Sequence, residues 1–275
     1  MSNTEDMIFG IPSIDVFHVL VWGHILFGAP GLLIFWVPVG GKKGGKVHVK
    51  WGRAFTVTML LTASCATLIS LTTLYDPVGT HPHLMHHEQF GDHGSIRLVF
   101  GWLMIYLAIL TWNLTWHGWL VAQNKNKRDA NRTPLNIGLQ WLLLAVTVNC
   151  VIHGILSGQV LMIGISTIGF ATFATNMWFL YKPKVGPKDW LLEHIKALIG
   201  TGISVYTAFF AFGAVRILPE AALTPALWSV PLIVGLSLIF YHWYRVKNPK
   251  KKVKRQRPQA AAADAGGLPP IQPAE

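Results

Sequence analysis

Long apolar runs separated by short polar connections dominate the pattern of the chain. A helix needs about 20 apolar residues to cross the hydrocarbon core of a bilayer. Seven runs approach that length, at 14–38, 54–75, 97–122, 137–157, 159–181, 196–217 and 226–245. The pattern predicts an all-α polytopic membrane protein, built as a bundle of about seven transmembrane helices.

The runs divide the chain into three parts. Residues 1–13 are an N-terminal outer segment, residues 14–245 are the seven-helix transmembrane domain, and residues 246–275 are a tail that is first basic and then disordered. We expect a very tight turn at Ser157 and Gly158 between the fourth and fifth runs. A single helix through both runs would be about twice the spanning length.

The composition agrees with this class of protein. Hydrophobic residues make up 52% of the chain and charged residues only 13%, whereas soluble domains carry about 25% charged residues. Asn113, Asn149 and Asn176 lie within the third to fifth runs, so they should face neighbouring helices rather than lipid. Cys65 and Cys150 also lie in apolar runs, which argues against a disulfide framework.

The basic residues are concentrated in alternate connections, and this orients the chain. Twenty-one of the 23 Lys and Arg residues lie in four segments: 40–53, 123–136, 182–196 and 245 onward. Arg97 and Arg216 alone fall on the other side. Positive charge stays inside, so we expect the N-terminus outside and the C-terminus in the cytoplasm, in a bacterial inner (plasma) membrane. The net charge of +11 then predicts contact with anionic lipids at the cytoplasmic face and not with nucleic acid.

The polar connection between the second and third runs is rich in histidine. The stretch HPHLMHHEQFGDH, residues 81–93, holds five of the twelve histidines and lies on the predicted outer face. Such close spacing allows several imidazoles to reach one zinc or copper ion. The candidate metal ligands are His81, His83, His86, His87 and His93. Two alternatives remain: a polar loop without an ion, and a cap for the third helix from Asp92 or Ser95.

Several other histidines lie within or beside the apolar runs. His24 should be about 15 Å deep, near the midplane, because a helix rises about 1.5 Å per residue. From there it needs a partner such as Asn113, Asn149, another histidine or a haem iron, since two imidazoles from facing helices can hold a b-type haem. The candidate cofactor-binding residues are His24, His48, Arg53, His117, His153 and His194. For each histidine the alternative is a hydrogen bond to a neighbouring helix, and an aromatic belt would explain His117 without function.

Two segments resemble a known group of proteins. In HILFGAPGLLIFWVPVGGKKGGKVHVKWGR a membrane histidine precedes a His-x-x-x-Gly-Arg turn, and in LLEHIKALIGTGISVYTAFFAFG a histidine opens a helix rich in small residues. Both are similar to segments of a broad group of bacterial multi-pass membrane proteins that brings no established activity. The resemblance covers helices one to six and implies a seven-helix bundle.

The residues that carry this resemblance are His24, His48, Gly52, Arg53 and His194. If His24, His48 and His194 form a functional set, they share the inner half of the membrane, and Arg53 lies beside them. Such a set suits a haem whose propionates meet Arg53, a quinone headgroup, or a structural latch between helices one, two and six. The outer histidine loop is not part of the family pattern.

Other catalytic signals do not appear in the sequence. It contains no Walker A motif, no G-x-S-x-G motif and no paired intramembrane carboxylates. We also expect no acid–base chain through the helices, which disfavours a proton-driven transporter. The sequence predicts a redox or metal-handling membrane protein that binds b-type haem or a transition metal. The alternatives are a non-catalytic assembly factor or accessory subunit with structural histidines and membrane protein partners, and a small-molecule transporter.

Overall fold

The fold is given by a computed structural model that describes residues 7–85, 92–213 and 225–249. Within these ranges, seven helices of 20 residues or more follow a short β-hairpin. The hairpin pairs β1 (Met7–Ile8) with β2 (Ile11–Pro12). The helices are α1 (Ser13–Gly40), α2 (Lys46–Tyr75), α3 (His93–Asn124), α4 (Pro134–Leu156), α5 (Val160–Tyr181), α6 (Asp189–Ala208) and α7 (Pro225–Lys247).

Five of these helices are fit to cross a membrane. Among the described residues, α1 to α5 are each long and apolar enough to span the hydrocarbon core. The outward surface of α1 is strongly apolar, with Trp22, Leu26 and Leu33 exposed by 71%, 68% and 76%. A continuous apolar surface of this kind belongs in contact with lipid. These helices agree with the prediction of a helical membrane protein.

Two helices begin earlier than the hydropathy pattern predicts. α2 begins at Lys46 rather than at residue 54, and α6 begins at Asp189 rather than at residue 196. Hydropathy marks the part of a helix that crosses the apolar core, whereas its backbone hydrogen bonds continue into the polar interface. His48 therefore lies inside the first turn of α2, and His194 lies inside α6, instead of in connections before those helices.

α3 lies at the centre of the bundle. It packs against α2, α4 and α6, and 56% of its apolar segment is buried, compared with 17% of the segment in α1. Its polar side chains must therefore find partners on other helices. Asn113 of α3 and Asn176 of α5 are fully buried and hydrogen-bonded to each other, as predicted. Asn149 of α4 is half-buried.

The predicted turn and cap are both present. α4 and α5 are joined through Gly158, whose φ of 67° is a conformation that glycine adopts at little steric cost. At the start of α3, the Asp92 carboxylate accepts a hydrogen bond of 2.9 Å from the backbone N–H of Ser95. The capping interpretation of Asp92 is therefore confirmed.

Two segments of the bundle are π-helical. They are Arg97–Leu103, within α3, and Phe209–Gly213, directly after α6. The rings of Phe100 and Phe212 bring the two segments together, with ring centroids 6.0 Å apart. π-Helical turns occur frequently at functional sites, so the space beside these two segments is a natural place to look for one.

Candidate functional site

A large cavity lies between α1, α2, α3 and α6, beside the two π-helical segments. Its volume is about 560 Å³, which falls in the range of small-molecule sites, about 300–1,000 Å³. Most of its lining is apolar, and Phe100, Phe209 and Phe212 of the π-helical segments contribute rings to it. The polar residues in its wall are His24, Thr62, Ser70, His81 and Thr111.

His24 is the polar side chain that α1 contributes to this cavity. Its Nδ1 lies 3.1 Å from the backbone carbonyl oxygen of Thr62 in α2. A carbonyl oxygen only accepts hydrogen bonds, so Nδ1 carries a proton, and in the neutral ring that this mostly apolar wall favours, Nε2 keeps its lone pair. The sequence-based partners for His24 were Asn113, Asn149, another histidine or iron. The observed protein partner is a backbone carbonyl, a group that residue patterns do not reveal.

His81 closes the cavity at the end where α1 begins. The side chain is 6% exposed, its ring centroid lies 4.9 Å from those of Phe17 and Phe100, and its Nδ1 lies 3.0 Å from the hydroxyl of Thr80. Burial, and secondarily the neighbouring His83, lowers the pKa of His81 to about 4. The imidazole is therefore neutral at physiological pH, and it faces the bundle interior rather than the solvent.

The pKa of His81 makes stability depend on pH in a defined window. Between the ordinary imidazole pKa of about 6.5 and the value of about 4 in the fold, the unfolded chain binds a proton that the native state excludes. Stability should therefore be full above about pH 6.5 and fall progressively down to about pH 4. Unfolding measured against pH should show this slope in the wild type and in His93→Asn, an exposed control, but not in His81→Asn. Equal slopes in all three proteins would contradict the assignment.

The described histidines of the stretch 81–93, which are His81, His83 and His93, form no completed metal site. The rings of His81 and His83 lie 5.9 Å apart, while His93 is exposed at the start of α3. In the part of the chain that the structure describes, no group of three His, Cys, Asp or Glu side chains is arranged to hold a metal ion. His86 and His87 lie outside the described residues, so the zinc or copper site stays a prediction that depends on them.

A second site is a closed ring of hydrogen-bonded side chains, which we call the polar ring, at the end of the bundle where α4 and α6 begin. Its members are His117, Asn136, Gln140, Asn176, Glu193 and Lys196. The charged part is the Glu193 carboxylate, which accepts from Lys196 Nζ at 2.6 Å and from His117 Nε2 at 3.0 Å. Five members are buried and Lys196 is nearly so, with 16% of its side chain exposed.

The neutral members complete the ring, and each donates a hydrogen bond to the next member in the same direction. Lys196 Nζ donates to Asn176 Oδ1 at 2.9 Å, and Asn176 Nδ2 donates to Gln140 Oε1 at 3.0 Å. Gln140 Nε2 then donates to Asn136 Oδ1 at 3.4 Å, and Asn136 Nδ2 donates to His117 Nδ1 at 3.3 Å. A lysine can only donate and a carboxylate can only accept, so these two charges fix the orientation of every amide between them.

The polar ring lies at one end of the bundle and was not anticipated from the sequence, whereas the expectation of no acid–base chain through the helices stays a prediction. Glu193 and Lys196 fall in the first turns of α6, in a stretch that hydropathy assigns to a connection, so they resembled solvated surface charges. Two features of the sequence could have indicated a buried network. Glu193 and Lys196 are three residues apart, and α4 and α5 carry amide side chains at a similar depth. His117 is also not an interfacial belt residue, because it is fully buried and both of its ring nitrogens have partners.

The predicted cofactor set is divided among separate places. His48 and His194 lie together, with ring centroids 6.4 Å apart, whereas His24 lines the cavity. His153 stacks on Trp102, with centroids 5.6 Å apart and planes 17° from parallel. Arg53 is exposed on α2. The predicted association of His48 with His194 is thus present, but His24 is not part of that pair.

Comparison with known proteins adds no assignment to this geometry. The chain matches no family model, and no curated protein or solved structure is significantly similar to it. The fold and the two sites define a helical membrane protein with an apolar cavity and a buried ionised ring. Its function is therefore argued from the cavity and the side chains themselves.

Proposed function

We propose that the protein is a seven-helix membrane protein that binds a lipophilic molecule with a hydroxyl-bearing ring, of the quinol class, in the cavity beside His24. The observation that carries the proposal is the hydrogen bond from His24 Nδ1 to the Thr62 carbonyl. It leaves the Nε2 lone pair as an acceptor in a cavity that is otherwise mostly apolar. A quinol hydroxyl is the group that such an acceptor recognises.

The shape of the cavity suits a ligand that arrives from the bilayer. Ile25, which lines the cavity beside His24, is also 48% exposed on the outer surface of α1. The wall is therefore thin on the side that faces lipid. A flat apolar ring can enter there without crossing water, and its hydroxyl then finds an acceptor at the depth of His24.

A b-type haem is the second candidate, because a histidine whose Nδ1–H is held by a backbone carbonyl is typical of metal ligation. A bis-His haem needs a second imidazole close to the first. The ring of His81 touches Phe17, and Phe17 is about 10 Å along α1 from His24. These distances favour the quinol class over haem. A Soret band that is present in the purified wild type and absent in His24→Ala would favour haem over the quinol class.

The redox state of the ligand provides the test of the proposed function. His24 Nε2 accepts a hydrogen bond from a quinol hydroxyl, whereas a quinone carbonyl would face its lone pair unfavourably. In nanodiscs under anaerobic conditions, a short-chain quinol should bind about tenfold more tightly than the corresponding quinone. Ala66→Phe, which fills the cavity, should weaken quinol binding, while Ala145→Phe on the exposed face of α4 should not. Equal binding by both variants would contradict the proposal, and it would favour an accessory protein with structural histidines.

The proposed topology includes α6 and α7 as the sixth and seventh spans. Both are helices of at least 20 residues, which is about 30 Å in length. Basic side chains cap the predicted cytoplasmic helix ends: Arg132 donates to the Leu180 carbonyl at 2.7 Å, and Lys43 donates to the Pro38 carbonyl at 2.8 Å. A reporter fused after residue 249 should be active in the cytoplasm, and one inserted after His83 should be active outside. The reverse pattern would overturn the orientation.

A further inference from the structure

The inner ends of α1, α2, α6 and α7 meet at a cluster of imidazoles and cations that lies outside the cavity and outside the polar ring. His48 and His194 are its centre, with ring centroids 6.4 Å apart. His48 Nδ1 lies 3.0 Å from the Pro38 carbonyl, and His194 Nδ1 lies 3.2 Å from the Gly118 carbonyl. Since carbonyl oxygens only accept, both Nδ1 atoms carry protons, and each Nε2 can take up a second proton from water and then donate to an anion.

Positive charge surrounds this pair of imidazoles. Lys43 Nζ lies 2.8 Å from the same Pro38 carbonyl that His48 contacts, so the ammonium and the ring are side by side. From α7, both His242 and Arg245 interact electrostatically with Lys43. Partial burial and the nearby Arg245 hold the pKa of Lys43 below its usual value. Two cations, Lys43 and Arg245, thus lie beside the imidazoles of this cluster.

The ion pairs among the described residues do not relieve this charge. Those ion pairs use the carboxylates of Asp129, Asp189 and Glu193, and none of the pairs includes a member of this cluster. Cations that are held close together attract an anion, because each repels the other. A metal ion is a poor occupant, because Lys43 and Arg245 would repel it and only two imidazoles are in position. A phosphate group offers several acceptor oxygens in a small volume, which suits an ammonium and two imidazolium rings that donate through Nε2–H.

We infer that His48, His194 and Lys43 bind a phosphate group at the inner face of the bundle, with His242 and Arg245 adding to its attraction. Val47 and Trp51 are exposed by 56% and 37% beside His48, and they provide an apolar surface for the acyl chains of a phospholipid. The phosphate can belong to an anionic lipid headgroup or to a soluble phosphate compound, and the two sources use the same donors. The site depends on neither the cavity nor its ligand.

Native mass spectrometry of the full-length protein tests this site. In detergent with phosphatidylglycerol or phosphatidylcholine, the wild type should retain one phosphatidylglycerol in preference to phosphatidylcholine. His48→Gln/His194→Gln and Lys43→Gln should each retain it about tenfold less well. His18→Gln, on the exposed outer end of α1, is the matched control and should bind as the wild type does.

The outcomes separate the two sources of phosphate and the failure of the inference. Displacement of the bound lipid by millimolar inorganic phosphate, or phosphate binding without lipid, would assign the site to soluble phosphate compounds. If inorganic phosphate does not displace the bound lipid, the site is assigned to a lipid headgroup. Equal lipid and phosphate binding by the wild type, Lys43→Gln and His18→Gln would overturn the inference, and so would stoichiometric zinc at His48 and His194. Lys43→Gln changes an exposed side chain, so the test does not depend on a variant that fails to fold.

Discussion

Replacing Glu193 with Gln should lower the free energy of unfolding by about 3–5 kcal/mol, because it leaves the ammonium of Lys196 buried without its counter-charge. In the polar ring this carboxylate accepts from Lys196 at 2.6 Å and from His117 at 3.0 Å. This loss of stability should greatly exceed the loss caused by replacing a neutral member of the ring such as Gln140, since hydrogen bonds within membrane bundles average about 0.6 kcal/mol. Denaturant titration of the purified protein, followed by circular dichroism, would measure it.

Two further variants distinguish an ion-pair effect from general damage. Glu193→Gln combined with Lys196→Met removes both charges, so the double variant should be more stable than Glu193→Gln alone. Asp189→Asn breaks a pair with Lys182 whose side chains are 24% and 17% exposed, and it should cost only about 1 kcal/mol. If Glu193→Gln were no more destabilising than Asp189→Asn, the polar ring would not contribute as an ionised network.

His24→Ala should weaken quinol binding by about 10–100-fold, since the ligand hydroxyl would be buried without an acceptor. The same change should hardly affect stability, because it removes a single hydrogen bond to the Thr62 carbonyl, at about 0.6 kcal/mol. This separation of affinity from stability is the signature of a ligand-binding residue. A purely structural histidine would show a loss of stability with no change in affinity.

His18→Ala is the matched control for this experiment. His18 lies on the same helix, closer to its N-terminal end, and its side chain is exposed rather than in the cavity wall. It should bind the quinol as the wild type does. Equal affinities for His24→Ala and His18→Ala, measured by titration in nanodiscs, would remove His24 from the site.

The sequence predicts the helices well because membrane insertion depends on local composition. The five runs that correspond to α1–α5 all contain a helix that is long and apolar enough to span a membrane, and the turn at Gly158 has the conformation that its glycine suggests. Apolar length does not report where a helix ends in the polar interface. For this reason the start of α2 was placed eight residues late, and His48 was assigned to a connection instead of to the helix.

The sites depend on how each helix is rotated, which hydropathy does not determine. The weak amphipathic pattern of these helices gives no preferred face, so the four helices that build the polar ring could not be brought together from sequence. His24 was identified from its depth alone, but its partner is the backbone of Thr62, and its cavity is shaped by two π-helical segments. Each of these features arises from tertiary packing.

The most direct measurement of the central claim is photoaffinity labelling with an alkyl quinol that carries a diazirine on its ring, followed by mass spectrometric mapping of the adducts. The protein would be labelled in nanodiscs, with an excess of unlabelled quinol as competitor. The account predicts competed adducts on the α1 residues around His24 and on α3 between Phe100 and Thr111, all of which border the cavity, and their loss in Ala66→Phe. Adducts confined to the lipid-facing surfaces of α4 and α5, or unchanged by the competitor and by Ala66→Phe, would contradict it.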